Sequence, residues 1–310
     1  MEHWMWKYLE NPLKRNNITV GEFEDKIIAC DHGLYTLIKV GKETFLCRQG
    51  VDAAVHPDYR GEGIYKNTDK LKDDMDFFNR VKLVYSVSTN PVILRHREKN
   101  KRPTFPYPIA HYIYVSDVNQ IVKNIKSTDS IKKWGIKQSI KLAQLYNNLQ
   151  IIITGKIQTS ANLRIIEVER FDREIEVFWN KVKEDYNFIT ERTCEYLNWR
   201  YNDSRGGKYV VKQAVEEGEV IGYVVLRINH YDSDNPRGYV VDLCTFRNRL
   251  DCAAALLAEA AVFFRLNQVD LIESMIVKGH PYERVLKQFN YLDDRNYLQV
   301  FLTLLEFLIL

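Results

Sequence analysis

The stretch Val55-His56-Pro57-Asp58-Tyr59-Arg60-Gly61-Glu62-Gly63-Ile64-Tyr65 lies between an apolar run and an amphipathic one, and its reading decides the fold. A strand that ends in a glycine-bearing turn and feeds a helix leaves unpaired backbone N–H groups at the helix N-terminus. Those donors, with the positive end of the helix dipole, form a site for a diphosphate or similar anion. Gly61 and Gly63 present no Cβ to an approaching ligand, and Arg60 adds a charge that suits phosphate oxygens. A nucleotide-like cofactor is expected here before anywhere else in the chain.

Upstream, residues 27–30 and 36–40 read as strands with a turn near Asp31-His32-Gly33, and residues 45–55 read as a longer strand entering the loop. Downstream, Leu71, Met75, Phe78 and Val81 recur at helical spacing, which predicts a helix over 66–80 with one buried stripe; residues 83–87 follow as a strand. This order is not a dinucleotide-binding βαβ unit. The chain has no G-x-G-x-x-G, no acidic strand end about twenty residues on, and no Walker lysine.

The two halves echo one another. Trp6-Lys7-Tyr8 is answered by Trp199-Arg200-Tyr201, Val51-Asp52 by Val241-Asp242, and Asn90-Pro91 by His280-Pro281. The last two pairs share one offset, as an internal duplication requires. In the second half a strand (163–168), a helix bearing Phe171, Ile175, Phe178 and Val182 on one face, and a further helix (193–199) lead up to Trp199. The first half opens almost at Trp6, so it is expected to lack its opening strand and helix. Helices are predicted over 118–125 and 131–149, and Tyr107, Tyr112 and Tyr114, among prolines, read as an irregular strand over the first domain.

With 310 residues, 45% of them hydrophobic and 27% charged, the chain has room for two ordinary domains. A net charge of +3 demands no nucleic-acid partner, and the basic run over 95–102 reads as a solvated helix end. Five cysteines without C-x-x-C spacing indicate reduced thiols, with no zinc site and no disulfide framework. No secretory leader is recognisable, and the apolar run 298–310, interrupted by Glu306, is too short to span a bilayer. A cytoplasmic protein with no membrane partner is expected, its oligomeric state left open.

At these residues the sequence resembles the GCN5-related N-acetyltransferases, and more closely a tandem member of that superfamily. The family signature, Arg/Gln-x-x-Gly-x-Gly/Ala, stands here as Arg60-Gly61-Glu62-Gly63-Ile64-Tyr65, with Tyr65 replacing the final small residue. Trp6 to Pro12 resembles the segment before the second strand of tandem members. The resemblance implies an α/β (α+β) fold: tandem domains over 1–155 and 160–310, each a mixed, mostly antiparallel twisted sheet flanked by helices.

It further implies acetyl-CoA or another acyl-CoA as donor, and no metal. The pyrophosphate would lie on the amides of Arg60, Gly61, Glu62, Gly63, Ile64 and Tyr65. The pantetheine arm would run beside Ala53, Ala54 and Val55 and meet Asn90. At the aligned place the second half reads Phe246-Arg247-Asn248-Arg249-Leu250-Asp251, without glycine and with a carboxylate at the helix start. A single donor site, in the first half, is therefore expected.

Asp52 alternates onto one face with Ala54 and His56. It reads either as a general base, provided burial raises its pKa, or as a buried aspartate bonding backbone, the duty Asp242 would repeat. His56, held extended before Pro57, reads as an assistant in proton removal or as a surface residue. The tyrosine by which relatives protonate the leaving thiolate is absent; Arg97 stands near its place, with Tyr85 and His96 as substitutes. The expected activity is N-acylation of a small-molecule amine such as an amino sugar. The alternatives are a non-catalytic binding or scaffold module and a relative that takes an RNA-linked donor.

Overall fold

Residues 26–40 form one continuous strand, β2 (Lys26–Val40), with no turn at Asp31-His32-Gly33. Its side chains are buried almost throughout, as in a strand covered on both faces. A strand that the sequence reading missed, β1 (Asn16–Phe23), pairs antiparallel with it, joined through Glu24 and Asp25. Both turn residues have φ in the left-handed region, 47° and 58°, which suits a tight hairpin. On the other side of β2 lies β3 (Glu43–Val55), also antiparallel. After β3 come the loop, helix α2 (Ile64–Phe78) and strand β4 (Leu83–Ser88), parallel to β3. Helix α1 (Glu2–Tyr8) precedes the sheet.

The computed structural model describes residues 1–88, 94, 95, 98, 99, 103–119, 122, 129–160, 162–230 and 236–304. The chain forms two compact units. The first holds Met1–Pro106, Tyr186–Arg200 and Leu298–Leu310; the second holds Tyr107–Asp185 and Tyr201–Tyr297. They are not the linear halves 1–155 and 160–310, and the reason is strand exchange. β5 (Ile109–Val115) is a regular strand paired with β11 (Leu271–Val277) in the second unit, not an irregular cover over the first. The end of β12 (Leu292–Leu304) pairs with β4 in the first unit. β7 (Phe188–Thr190) joins the end of β2, where Lys39 also donates to the Tyr186 carbonyl at 2.9 Å.

In the second unit the sheet order is β5-β11-β10-β9-β8-β6, adding β6 (Arg164–Val168), β8 (Val210–Glu216), β9 (Glu219–Asn229) and β10 (Arg237–Thr245). Helix α3 (Ser130–Thr154) follows β5 in sequence. Helix α4 (Arg173–Val182) buries Ile175, Phe178 and Val182, as its spacing predicts, and α5 (Cys194–Tyr201) follows. Helix α6 (Leu250–Leu266) buries Leu256, Ala260 and Phe264 on this sheet. A Cβ on Gly238 would lie 2.6 Å from the Phe264 ring, so glycine there admits the helix. Helix α7 (Tyr282–Gln288) follows β11. The succession β8, β9, β10, α6, β11 repeats β1, β2, β3, α2, β4, which is the expected duplication.

Helix α2 departs from its predicted stripe. Leu71 is 52% exposed and Phe78 82% exposed, while Thr68, Asp69, Lys72 and Asp76 are buried against the sheet. The polar face wins because the sheet offers it partners. Asp76 accepts from Arg48 Nε, from Asn17 Nδ2 at 2.8 Å and from Tyr35 Oη at 3.2 Å. Lys72 is paired with Asp31, with Asp69 at 3.6 Å. Gly33 gives the Arg48 stem its room, since a Cβ there would overlap Arg48 Cδ. Burying charge is tolerated only where opposite charges are paired in this way.

Candidate functional site

β3 and β4 run side by side for three residues only: Cys47↔Leu83, Arg48↔Val84 and Gln49↔Tyr85. Beyond Gln49, β3 continues to Val55 with β2 on one edge and no strand on the other among the described residues. That edge, from Gly50 through Ala54, has no partner strand among the described residues and largely exposed side chains, which suits an extended ligand laid alongside as an added strand.

The edge leads into the loop. His56 donates its amide to the Ile28 carbonyl at 2.8 Å, and Pro57–Tyr59 form a single 3₁₀ turn. Arg60 folds back, Nε donating to the Val55 carbonyl at 3.2 Å. Gly61 and Gly63 take φ of 91° and 78°, values that exact a penalty from any other residue, and a Cβ on either would meet nothing within 4 Å. Gly63 is the N-cap of α2; no side chain caps the helix and its first turn carries no acid. Ile64 and Tyr65 are half-buried, and Glu62 is exposed. The result is an open, uncapped helix N-terminus with space in front of it.

Beside the free edge sits Asp52, at a break in the β2–β3 register, with φ of 46°. It accepts from Lys7 Nζ at 2.6 Å and from Tyr8 Oη. Burial opposes ionisation, yet the hydrogen bonds from Lys7 and Tyr8 prevail and hold the Asp52 carboxyl below the usual carboxylate range. The raised pKa that a general base there requires is not found. His56 is exposed, its Nδ1 3.4 Å from the Asp58 amide and 3.8 Å from the Asp58 carboxylate. Asn90, His96 and Arg97 lie outside the described residues.

The sequence reading missed His32, which it placed in a turn. It is a buried strand residue opposite Val51, with its ring edge-on to Tyr8, centroids 4.9 Å apart. Its Nδ1 has no hydrogen-bond partner among the described residues. Burial lowers its pKa from the ordinary histidine value, against the pull of the Asp52 charge. The apolar runs on both sides, Ile27 to Cys30 and Leu34 to Ile38, were the available sign that the strand continues through Asp31-His32-Gly33.

The corresponding place in the second unit is closed. β10 and β11 also pair only briefly, from Arg237↔Leu271 to Val240↔Ser274, and β10 is bulged beside Asp242. Asp242 accepts from Tyr201 Oη at 3.3 Å and Tyr223 Oη at 2.9 Å, so the tyrosine-to-aspartate contact of Tyr8 and Asp52 is repeated. At the N-terminus of α6, however, Arg249 is clamped by Glu216 at 2.6 Å and Asp251 at 2.9 Å. Those hydrogen bonds keep both carboxyls below their usual range. Asp251 thus serves as a partner for Arg249. The Thr245 amide, at the strand end, is taken by Tyr282 Oη at 2.8 Å.

No family model and no curated protein matches this sequence. Solved structures do. A conserved protein of unknown function from Enterococcus faecalis V583, described as a probable N-acyltransferase, superposes with a TM-score of 0.60 at 13% identity over 96% of this chain. N-myristoyltransferase of Saccharomyces cerevisiae with bound myristoyl-CoA and inhibitors superposes with a TM-score of 0.61 at 10% identity over 97% of the chain. The fold is that of the GCN5-related N-acetyltransferases. This chain spans 64% of the length of the Enterococcus protein and 70% of the yeast enzyme.

The open loop before α2 follows directly on the stretch of β3 that outruns β4, and both stand in the first unit. No group of three or more His, Cys, Asp or Glu able to hold a metal ion occurs among the described residues.

Proposed function

We propose that this chain transfers an acyl group from an acyl-CoA to an amine, with one donor site, in the first unit. The observation that carries this reading is the contrast between two equivalent helix N-termini. The one at Gly61 and Gly63 is open and uncapped; the one at Arg249 is filled by the protein's own ion pairs.

The diphosphate of coenzyme A would take the amides from Arg60 to Tyr65, where dipole and N–H groups favour an anion. The pantetheine amides would hydrogen-bond the free edge of β3 around Ala54 and Val55. Positioning of the thioester beside the amine supplies most of the acceleration. The amine must lose a proton on attack. His32, neutral at pH 7 and unpaired at Nδ1, is the residue we assign to receive it. Asp52, Lys7 and Tyr8 fix the bulge that aims the strand edge. The donor range runs from acetyl to long-chain acyl, and the acceptor is a small-molecule amine such as an amino sugar, in a cytoplasmic setting.

The test is calorimetric titration with acetyl-CoA and myristoyl-CoA, followed by thiol release on a panel of amino sugars, polyamines and peptide N-termini. Absence of binding to every acyl-CoA sinks the proposal. One observation favours a second reading: Asp52 is ion-paired and His56 exposed, so neither expected base is poised. A non-catalytic acyl-CoA-binding module would then bind the donor and release no thiol with any amine.

A further inference from the structure

Helix α3 carries an outward stripe that no described residue covers. Ile131, Trp134, Leu142, Leu145, Leu149 and Ile152 are all exposed, Ile131 at 82% and Trp134 at 64%. At 3.6 residues per turn they fall within an arc of about 80° along about 30 Å of axis. The opposite side anchors the helix: Asn147 is buried and its Nδ2 donates to the Tyr291 carbonyl at 3.1 Å. Contiguous apolar surface of this extent marks an interaction site.

Charge says what meets it. From Ser130 to Thr154 the helix holds Lys132, Lys133, Lys137 and Lys141 and no Asp or Glu. Asp129, just before it, is consumed as the N-cap, accepting from the Ile131 and Lys132 amides at 2.9 and 3.1 Å. Lys132 and Lys141, both exposed, border the apolar arc on its two sides. A second copy would bring four more lysines and no countercharge. A surface that is apolar beneath and anionic above matches both features at once. No helix among the described residues is long and apolar enough to cross a membrane, so the geometry is that of a helix lying in the interface.

We propose that α3 docks the protein on an anionic lipid surface, with Ile131, Trp134, Leu142, Leu145, Leu149 and Ile152 entering the acyl boundary and the lysines reaching the headgroups. This stands independently of the acyltransferase reading. The experiment is flotation of the full chain with vesicles of phosphatidylcholine alone and with phosphatidylserine added. Binding is expected only with the anionic lipid, with a blue shift of tryptophan emission that Trp134→Phe removes. Lys132→Gln with Lys141→Gln should weaken it roughly 30-fold. Leu142→Glu with Leu149→Glu should abolish it while leaving circular dichroism and melting temperature unchanged, because both sites are exposed. No flotation at low salt overturns the proposal, as does binding unaffected by the glutamates. So does a dimer in light scattering that the glutamates dissociate without any vesicle binding.

Discussion

The inverted packing of α2 makes a prediction that the sequence periodicity contradicts. Asp76 is fully buried and accepts from Arg48, Asn17 and Tyr35. Asp76→Ala leaves Arg48, itself buried, with Asp73 alone at 3.1 Å. Removing one member of a buried pair costs about 3–5 kcal/mol, because the remaining charge stays desolvated. For a chain of this size that is a fall of about 10 °C in melting temperature. The double variant Arg48→Met with Asp76→Leu removes both charges and should recover at least half of the loss. Phe78→Asp, on the exposed side, should change stability by less than about 0.5 kcal/mol. Urea unfolding of the variants measures all three. If Asp76→Ala costs under about 1 kcal/mol while Phe78→Asp costs several, the stripe of Leu71, Met75 and Phe78 is the buried one and the packing described above is wrong.

Gly63→Ala should cost about 1 kcal/mol through left-handed backbone strain alone, since its Cβ meets no atom, yet reduce acyl-CoA affinity at least tenfold by standing in the cradle; equal affinity by calorimetry would refute the cradle. Asp52 has a depressed folded pKa, so its contact with Lys7 and Tyr8 stabilises above the ordinary carboxylate value and is lost as pH falls through the lower folded value. The melting temperatures of wild type and Asp52→Asn should accordingly differ at pH 7 and converge below about pH 4. The rate profile of the wild type should fall on the acid side at a pH below the ordinary histidine value, and His32→Gln should remove that limb; an unchanged profile would dismiss His32 as the proton acceptor.

What the sequence made legible follows from local physics. The loop was readable because glycines at a strand-to-helix junction have few other uses, and α4 and α6 because their partners are apolar and their spacing reports the buried face directly. Helix α2 misled for the converse reason. Its buried face is charged, and nothing in a linear pattern shows that Arg48, Asn17 and Asp31 wait on the sheet to pair with it. Strand β1 was hidden by its polar residues, Asn16, Asn17, Thr19 and Glu22. The division into units was unreadable because β5 pairs with β11 and β12 with β4, each in the other half, and such exchange leaves no trace in composition.

The duplication itself separates architecture from chemistry. Trp6 Nε1 donates to the Trp199 carbonyl at 2.9 Å and Trp199 Nε1 to the Trp6 carbonyl at 3.0 Å, with the rings stacked at 5.0 Å. Such a reciprocal exchange is the signature of a two-fold related contact. Tyr8 to Asp52 and Tyr201 to Asp242 likewise occur in both repeats. A feature held in the repeat whose cradle is closed is not held for the ligand, so the aspartate at the bulge belongs to the fold. The open loop occurs once. If Asp52 were the base, its duplicate Asp242 would be idle chemistry in a repeat whose helix N-terminus is closed by Arg249; as a brace for a bulged strand, it does the same work twice. The same reasoning supports the proposed place of the ligand at Gly61 and Gly63 and turns the search for the proton acceptor from Asp52 to His32, since β9, the counterpart of β2 in the second repeat, carries no histidine.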